Sequence, residues 1–234
     1  MLEILCKILG IFICIFGAHD DGYPDDYKKM LRQKYYNQFQ YLTVIGLYMS
    51  ILTLFLGLKL RIIYKLKKKQ IKSLYKIYTK MLSLILPIEI LISLVFWSMF
   101  IYNPVLIVKE SIYEAKGFNF SQNMCLHLFP AILLAFELKN VKLKRSNVCV
   151  IAMIIFSFVY YFFCRYIAKK YKSWPYPFLD QLNEARRIVF FAVSTFISII
   201  LHEIVILISR KLKAHKKIKK IEKKKLRLHK KKLY

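Results

Sequence analysis

The chain of 234 residues combines 57% hydrophobic residues with a formal net charge of +27. This combination excludes an ordinary soluble domain, in which apolar and charged residues are interleaved. Here they are separated along the chain, because apolar runs recur while Lys and Arg are concentrated in a few connectors and near the C terminus. Such segregation is typical of an α-helical protein that crosses a membrane several times.

Strong basicity can also indicate nucleic-acid binding, because Lys and Arg neutralise phosphates. The basic segments lack RNP-like aromatic residues, zinc-finger spacing and a recognisable reading helix, so we expect no nucleic-acid partner. The five cysteines lie in or beside apolar runs and form no CxxC pair. They predict small buried thiols, with neither a disulfide framework nor a metal site, and no cofactor is implied.

Six apolar runs, each approaching the ~30 Å thickness of a bilayer, predict six transmembrane helices. The runs are Leu2–Ala18, Tyr41–Leu58, Met81–Ile101, Met124–Leu138, Asn147–Ala168 and Ile188–Ser209. Pro130 predicts a kink in the short fourth span. The first run is open to a second interpretation as a cleaved signal peptide, but it has no cluster of positive charge at its start, which favours a retained helix. The predicted domains are a six-helix transmembrane domain at 1–209 and a basic tail at 210–234.

Basic residues are distributed unequally between the two sides of the predicted bundle. The connectors after the second and fourth spans, together with the tail, contain 27 Lys and Arg, whereas the connectors on the other side contain 11. The positive-inside rule therefore predicts that both termini lie in the cytosol. The chain ends in Lys231-Lys232-Leu233-Tyr234, which resembles the dilysine retrieval signal and suggests the endoplasmic reticulum, although a Lys-rich tail makes a chance match common.

His127 stands in the otherwise apolar fourth span, where an ionisable side chain needs a reason. Thr43 and His127 each lie about one turn inside spans that run in the same direction, so they are predicted at matched depth. A threonine hydroxyl becomes a nucleophile when a neighbouring base takes its proton, and a neutral imidazole is the usual base near pH 7. The pair is therefore the minimum constellation for acyl transfer from an ester.

Asn123 precedes His127 by one turn on the same helix face, where its amide can orient the imidazole or help to hold an oxyanion. A structural alternative stays open for the pair. In that alternative, Thr43 bonds back to its own helix and His127 hydrogen-bonds a neighbouring span.

Further polar residues lie inside the predicted spans. Glu89 follows Pro87 in the third span, and Glu203 adjoins His202 in the sixth. Isolated carboxylates at such depth cost several kcal/mol, so they must be paired, protonated or turned toward a wet cavity. We expect a structural network for Glu203, leave a network and a proton path open for Glu89, and expect Arg165 to snorkel toward the headgroups.

Five motifs occur in an order that resembles a known family. They are Tyr41-Leu42-Thr43, Leu86-Pro87-Ile88-Glu89 with Phe96-Trp97-Ser98, the Asn123 to His127 spacing, Trp174-Pro175-Tyr176-Pro177-Phe178-Leu179, and Ala185-Arg186-Arg187-Ile188-Val189-Phe190-Phe191. Over spans two to six the chain resembles the androgen-induced membrane proteins, the family that includes the androgen-dependent TFPI-regulating protein. The resemblance implies a six-helix threonine hydrolase that cleaves fatty acid esters of hydroxy fatty acids, with Thr43 as the nucleophile and His127 as the base.

The chain departs from that family at two positions. Met124 stands where a second histidine is usual, and Leu128 replaces a polar residue after His127. Both changes bear on substrate preference and leave the pair itself intact. The aromatic connector Ser173–Phe178 is expected either to anchor the chain at the headgroups or to roof the site.

The sequence therefore predicts an all-α, polytopic membrane hydrolase whose lipid ester substrate enters sideways between helices. Its expected surroundings are membrane lipids, and the sequence leaves protein partners open. The alternative is a non-catalytic membrane regulator or transporter-like bundle in which the polar residues hold helices together. The chain shows no internal repeat of the kind common in secondary transporters.

Overall fold

The computed structural model describes residues 2–19, 37–107 and 119–232, with side chains described as far as residue 215. Within these ranges the regular elements are helical and no strand occurs. The α-helices of these ranges are α1 Leu2–Ala18, α2 Leu42–Lys67, α3 Lys72–Tyr102, α4 Phe120–His127, α5 Phe129–Glu137, α6 Asn147–Tyr171, α7 Pro177–Asp180 and α8 Glu184–Lys232. The predicted all-α class is therefore confirmed for this part of the chain.

Four of these helices, α2, α3, α6 and α8, are long and apolar enough to cross a membrane. They correspond to the predicted second, third, fifth and sixth spans. α1 has 17 residues, and the predicted fourth span is divided between α4 and α5. Six spans and cytosolic termini consequently remain predictions.

The helices extend beyond the apolar runs from which they were predicted. α2 continues past Leu58 to Lys67, because Lys, Arg and Leu are good helix formers and no proline interrupts them. It ends where Lys68 adopts a left-handed conformation with φ of 52°. α8 likewise continues to Lys232, so the predicted boundary at 209/210 falls inside a continuous helix. The side chains at the dilysine-like end lie outside the described residues.

The fourth span is interrupted immediately after His127. α4 ends at that residue, Leu128 has φ of −117° and ψ of −51°, and α5 begins at Phe129. Pro130 has no N–H to donate to the Leu126 carbonyl, and its ring crowds that oxygen. The predicted kink is therefore a break between two short helices.

α1 packs against α2, α4 and α5 and contributes to the core of the bundle. A Cβ added at Gly17 would lie 2.9 Å from the Cys125 carbonyl oxygen, so glycine permits the close approach of α1 to α4. At the other end of α1, buried Lys7 forms an ion pair with Glu137 of α5, which also accepts a hydrogen bond from Tyr78 of α3. α1 thus supplies the cation that neutralises the buried Glu137 carboxylate, and retention of the first helix stays a prediction.

Candidate active site

A cavity of about 210 Å³ lies among α2, α3, α4, α6 and α8. Its wall is mainly apolar and includes Leu91, Phe96, Phe156 and Phe190. Three predicted site residues also line it, namely Thr43, Asn123 and His127. The fold thus places Thr43 of α2 on the same cavity surface as Asn123 and His127 of α4, which lie far from it in the chain.

Thr43 is the second residue of α2 and is buried. It therefore lies in the first turn of α2, and its predicted depth in the membrane, about one turn inside the span, stays a prediction. The amide of the preceding residue, Leu42, donates a hydrogen bond of 2.8 Å to the phenol oxygen of Tyr176. The N-terminal turn of a helix carries partial positive charge, so a negative charge that develops beside Thr43 is stabilised there.

His127 is the last residue of α4 and lies against Phe96 of α3. The two rings are stacked, with centroids 3.4 Å apart and planes 9° apart. The imidazole is buried, and its Nδ1 has no hydrogen-bond partner among the described residues. In the structural alternative, His127 hydrogen-bonds a neighbouring span. Among the described residues, Nδ1 forms no such bond. Stacking on one face of the ring restricts its orientation while its edge faces the cavity.

Asn123 is held by its own helix. Its Nδ2 donates a hydrogen bond of 2.8 Å to the Asn119 carbonyl, one turn earlier. Asn119 is also the N-cap of α4, with its side-chain oxygen accepting from the Gln122 amide. The Asn123 side chain is therefore fixed at the cavity wall, and its role toward the imidazole or an oxyanion stays a prediction.

Glu89 is fully buried but is not among the residues that line the cavity. Its Oε1 accepts a hydrogen bond of 2.8 Å from Ser50 Oγ of α2. A Cβ at Gly46 would lie 2.8 Å from the same carboxylate oxygen, so the glycine makes room for it. The supporting role predicted for Glu89 is thus indirect, because this residue joins α3 to the helix that carries Thr43.

The comparison with known families covers most of the chain. The family described as FAR-17a/AIG1-like protein matches residues 5–210, a range that contains Thr43, Asn123 and His127. The chain belongs to the FAR-17a/AIG1-like family. This assignment confirms the family resemblance found in the sequence motifs.

A curated relative of this FAR-17a/AIG1-like protein occurs in Schizosaccharomyces pombe. It is a UPF0641 membrane protein, 23% identical over 171 residues that cover 72% of the present chain and 73% of the yeast protein. No solved structure matches the chain. Together with the four long apolar helices, the family and this relative identify an integral membrane protein.

The connector of the FAR-17a/AIG1-like chain between α6 and α8 roofs the cavity. Tyr176, Phe178 and Leu179 line it, and Trp174 is buried beside them. Asp180 Oδ1 accepts a hydrogen bond of 2.9 Å from the Trp174 amide and closes the connector on itself. The sequence had left a roof and an interfacial anchor open, and the structure shows the roof.

Arg187 of α8 ties this roof to the bundle. Its guanidinium lies 4.6 Å from the centroid of the Trp174 ring, and its Nε donates to the Leu179 carbonyl at 2.8 Å. The cation–π contact with Trp174 and the charged hydrogen bond to Leu179 together fix the position of the roof relative to α8.

Two further cavity features were missed by sequence reasoning. One is the stacking of Phe96 on His127, since the sequence showed Phe96 only as part of the Phe96-Trp97-Ser98 motif. The other is a group of hydroxyls between α6 and α8, where Thr195 Oγ1 lies 2.5 Å from Ser157 Oγ and 2.7 Å from the Phe191 carbonyl. Both hydroxyl-bearing residues line the cavity, together with Ser198.

The remaining intramembrane polar residues are paired with neighbouring elements. His202 Nδ1 donates to the Ser83 carbonyl at 2.8 Å, and Glu203 forms a 2.9 Å ion pair with Arg145. The expected structural network around Glu203 is thus confirmed. Arg165 is exposed and forms an ion pair with Glu184 at the start of α8, with 3.4 Å between Nε and Oε1. Its snorkelling toward the headgroups stays a prediction.

Proposed function

We propose that this membrane protein is a hydrolase that cleaves fatty acid esters of hydroxy fatty acids, with Thr43 as the nucleophile and His127 as the base. The observation that carries the proposal is the shared cavity, in which a hydroxyl and an imidazole face a largely apolar space. A ligand site for a lipid ester needs that combination of apolar walls and a few convergent polar groups. Membership of the FAR-17a/AIG1-like family supports the same assignment.

The proposed reaction has an acylation and a deacylation half. His127 takes the proton from Thr43 Oγ1, and the oxygen attacks the ester carbonyl carbon to give a tetrahedral intermediate. The intermediate collapses with loss of the hydroxy fatty acid oxygen, which receives the proton from His127, and an acyl-threonine ester remains. His127 then takes a proton from a water molecule, whose oxygen attacks this ester. The fatty acid is released, and His127 returns the proton to Thr43 Oγ1.

Stacking on Phe96 and attachment to the end of α4 hold the base for both halves. A base must stay within hydrogen-bond reach of the proton that it moves, and small displacements are costly in rate. The N-terminal turn of α2 adds favourable electrostatics at Thr43, where negative charge develops during attack. No step requires a group outside the chain other than substrate and water.

The substrate reaches the cavity from the bilayer. The positive-inside distribution places Thr43 near the lumenal face, and the dilysine-like end favours the endoplasmic reticulum. We propose this orientation and location together with the activity. Fluorescent labelling of a cysteine introduced at either end of α2, in sealed microsomes, tests the orientation independently of catalysis.

The test of function is ester hydrolysis by membranes containing Thr43→Ala or His127→Ala, normalised to the amount of protein. Thr53→Ala is the matched control for the threonine, because Thr53 is also a buried residue of α2 but bonds the Met49 carbonyl away from the cavity. His202→Ala is the control for a buried histidine outside the cavity. We expect a loss of about 1,000-fold or more in both site variants and activity within about three-fold of wild type in the controls.

Two results would contradict the proposal. Equal activity of wild type and Thr43→Ala would remove this threonine from the reaction. An inactive wild type, across esters of several chain lengths, would instead favour a non-catalytic membrane regulator.

A further inference from the structure

Tyr176 of the cavity roof lies beside the N-terminal turn of α2. Its phenol oxygen accepts the 2.8 Å hydrogen bond from the amide of Leu42, the residue that directly precedes Thr43 in α2. A second phenol, that of Tyr160, lies 3.4 Å away. Tyr176 therefore places a hydroxyl on the cavity surface next to the proposed nucleophile.

The hydrogen bonds around Tyr176 determine where its proton can point. The Tyr160 hydroxyl donates its own proton to the Gln40 carbonyl at 3.0 Å. The Tyr176 oxygen already accepts from the Leu42 amide. A phenol has a single proton to donate, so the proton of Tyr176 is directed at the Tyr160 oxygen or at the Thr43 side of the cavity. The contact of 3.4 Å with Tyr160 is long for an O–H···O bond, so a stronger acceptor that forms on the Thr43 side can take this proton.

From this geometry we propose that the Tyr176 phenol is a further catalytic group, which donates a hydrogen bond to the oxyanion of the tetrahedral intermediate formed at Thr43. The inference rests on the proposed hydrolase function. Before attack the phenol lies on the cavity wall near Thr43, whose Oγ1 is the proposed nucleophile. When that oxygen bonds to the carbonyl carbon, the former carbonyl oxygen becomes the negatively charged acceptor beside it, and the phenol turns to it. The phenol keeps its proton throughout, so the proton balance between Thr43 and His127 is unchanged.

Two properties of Tyr176 suit it to this role. Burial among neighbouring groups raises the pKa of Tyr176 to about 12, so the phenol stays neutral and able to donate in the ordinary pH range. The Leu42 amide holds its oxygen, and the edge of the Tyr41 ring packs on its face with centroids 5.6 Å apart. Because the ring and the oxygen are already held, only the O–H bond has to rotate toward the oxyanion, which keeps the cost of reorganisation small.

The experiment compares Tyr176→Phe with Tyr160→Phe in full-length protein, with kcat and KM measured on the same ester. Each change removes one hydroxyl and keeps the ring. We expect Tyr176→Phe to lower kcat about 100-fold or more with KM within about three-fold, as for loss of one oxyanion donor. Tyr160→Phe should retain kcat within about five-fold, because its hydroxyl is engaged with the Gln40 carbonyl.

A second readout separates catalysis from positioning. A fluorinated tyrosine at position 176 has a more acidic phenol of nearly unchanged shape. A phenol that must be protonated loses activity as pH rises through its pKa, so the alkaline limb of the kcat profile should move to lower pH in the fluorinated protein. A purely structural Tyr176 leaves that limb where it is in wild type.

The outcomes distinguish this inference from the function on which it rests. Full kcat in Tyr176→Phe, while Thr43→Ala is inactive, overturns the role of Tyr176 and leaves the hydrolase intact. Equal losses in Tyr176→Phe and Tyr160→Phe, with an unmoved alkaline limb, overturn it as well, because they indicate a shared structural effect. Inactivity of wild type overturns the proposed function and this role together.

Discussion

The imidazole of His127 lies parallel to the phenyl ring of Phe96, with 3.4 Å between the ring centroids. His127 ends a helix that Pro130 prevents from continuing, so the backbone alone would leave its side chain loosely oriented. Phe96 belongs to the long, continuous α3. The stack therefore transfers the rigidity of α3 to the proposed base.

Replacing Phe96 by leucine should reduce the rate of hydrolysis about ten-fold or more, because the imidazole loses the flat surface that orients it. Phe100→Leu is the matched control, since the Phe100 ring also stacks with Phe96, at 6.1 Å between centroids, but is not among the cavity-lining residues. Steady-state kinetics on purified protein in detergent checks the prediction. Equal rates in the two variants would show that the stack does not position His127.

We expect Met153 to limit the length of acyl chain that the cavity accepts. It lines the cavity about two turns along α6 from Tyr160, or about 10 Å at 1.5 Å per residue, on the side away from the Tyr176 roof. Met153→Phe should lower activity on long-chain esters about ten-fold relative to short-chain esters, because the larger ring fills that end. The measurement is the ratio of kcat/KM for two chain lengths.

Ile154→Phe is the control for that change, because Ile154 is the next residue of α6 and is about half exposed on the outer face of the bundle. Its ratio should match wild type. An unchanged ratio in Met153→Phe would place the acyl chain elsewhere.

The buried ion pair between Lys7 and Glu137 links α1 to α5. Either Lys7→Met or Glu137→Gln alone should destabilise the protein by about 3–5 kcal/mol, because one charge stays buried without its partner. The double variant should regain much of the loss. In wild type the Tyr78 hydroxyl donates to Glu137. The amide oxygen that Glu137→Gln introduces can still accept this hydrogen bond in the double variant. The stability of the two single variants and of the double variant is measured by thermal unfolding in detergent, followed by size-exclusion chromatography.

The exposed pair of Glu3 and Arg61 is the comparison for this cycle. It also joins α1 to a neighbouring helix, but solvent and headgroups screen it, so Glu3→Gln should change stability little. Additive losses in the Lys7 and Glu137 double variant would contradict an energetic coupling between those two residues.

Two glycines of α1 test how closely this helix must approach its neighbours, α4 at Gly17 and α5 at Gly10. Gly17→Ala should destabilise the protein by about 1–3 kcal/mol, because its Cβ would meet the Cys125 backbone at 2.9 Å and backbone cannot move aside cheaply. Gly10→Ala should cost less, since its nearest neighbour is the flexible end of Leu133 at 3.1 Å. Thermal stability of the two variants is compared side by side. A larger loss in Gly10→Ala would reverse the expected order.

Hydrophobic runs predicted most of the helices because burial in a bilayer dominates their free energy. The same runs did not predict where the helices end. α2 continues to Lys67 beyond the apolar run, since helix propensity persists after hydrophobicity ends. In the fourth span, proline predicted a disturbance, but the size of the break after His127 depends on how α4 and α5 pack on α1 and α3.

The cavity residues show a similar division. Thr43, Asn123 and His127 were predictable because polar residues inside apolar runs need a reason to be there. Tyr176 was visible only as part of an aromatic connector, because its contact with Leu42 spans 134 positions of the chain and depends on the fold of the roof. Phe96 was visible only as part of the Phe96-Trp97-Ser98 motif, because its stacking on His127 depends on how α3 packs against α4.

The most direct measurement is the site of covalent acylation during turnover. Full-length protein is mixed with a slowly hydrolysed ester, quenched in acid and digested, and the acylated peptide is sequenced by mass spectrometry. The proposed mechanism predicts an acyl group on Thr43 in wild type, and none in His127→Ala, where the hydroxyl has no base. An acyl group on another residue, or steady turnover with Thr43 never modified, would contradict it.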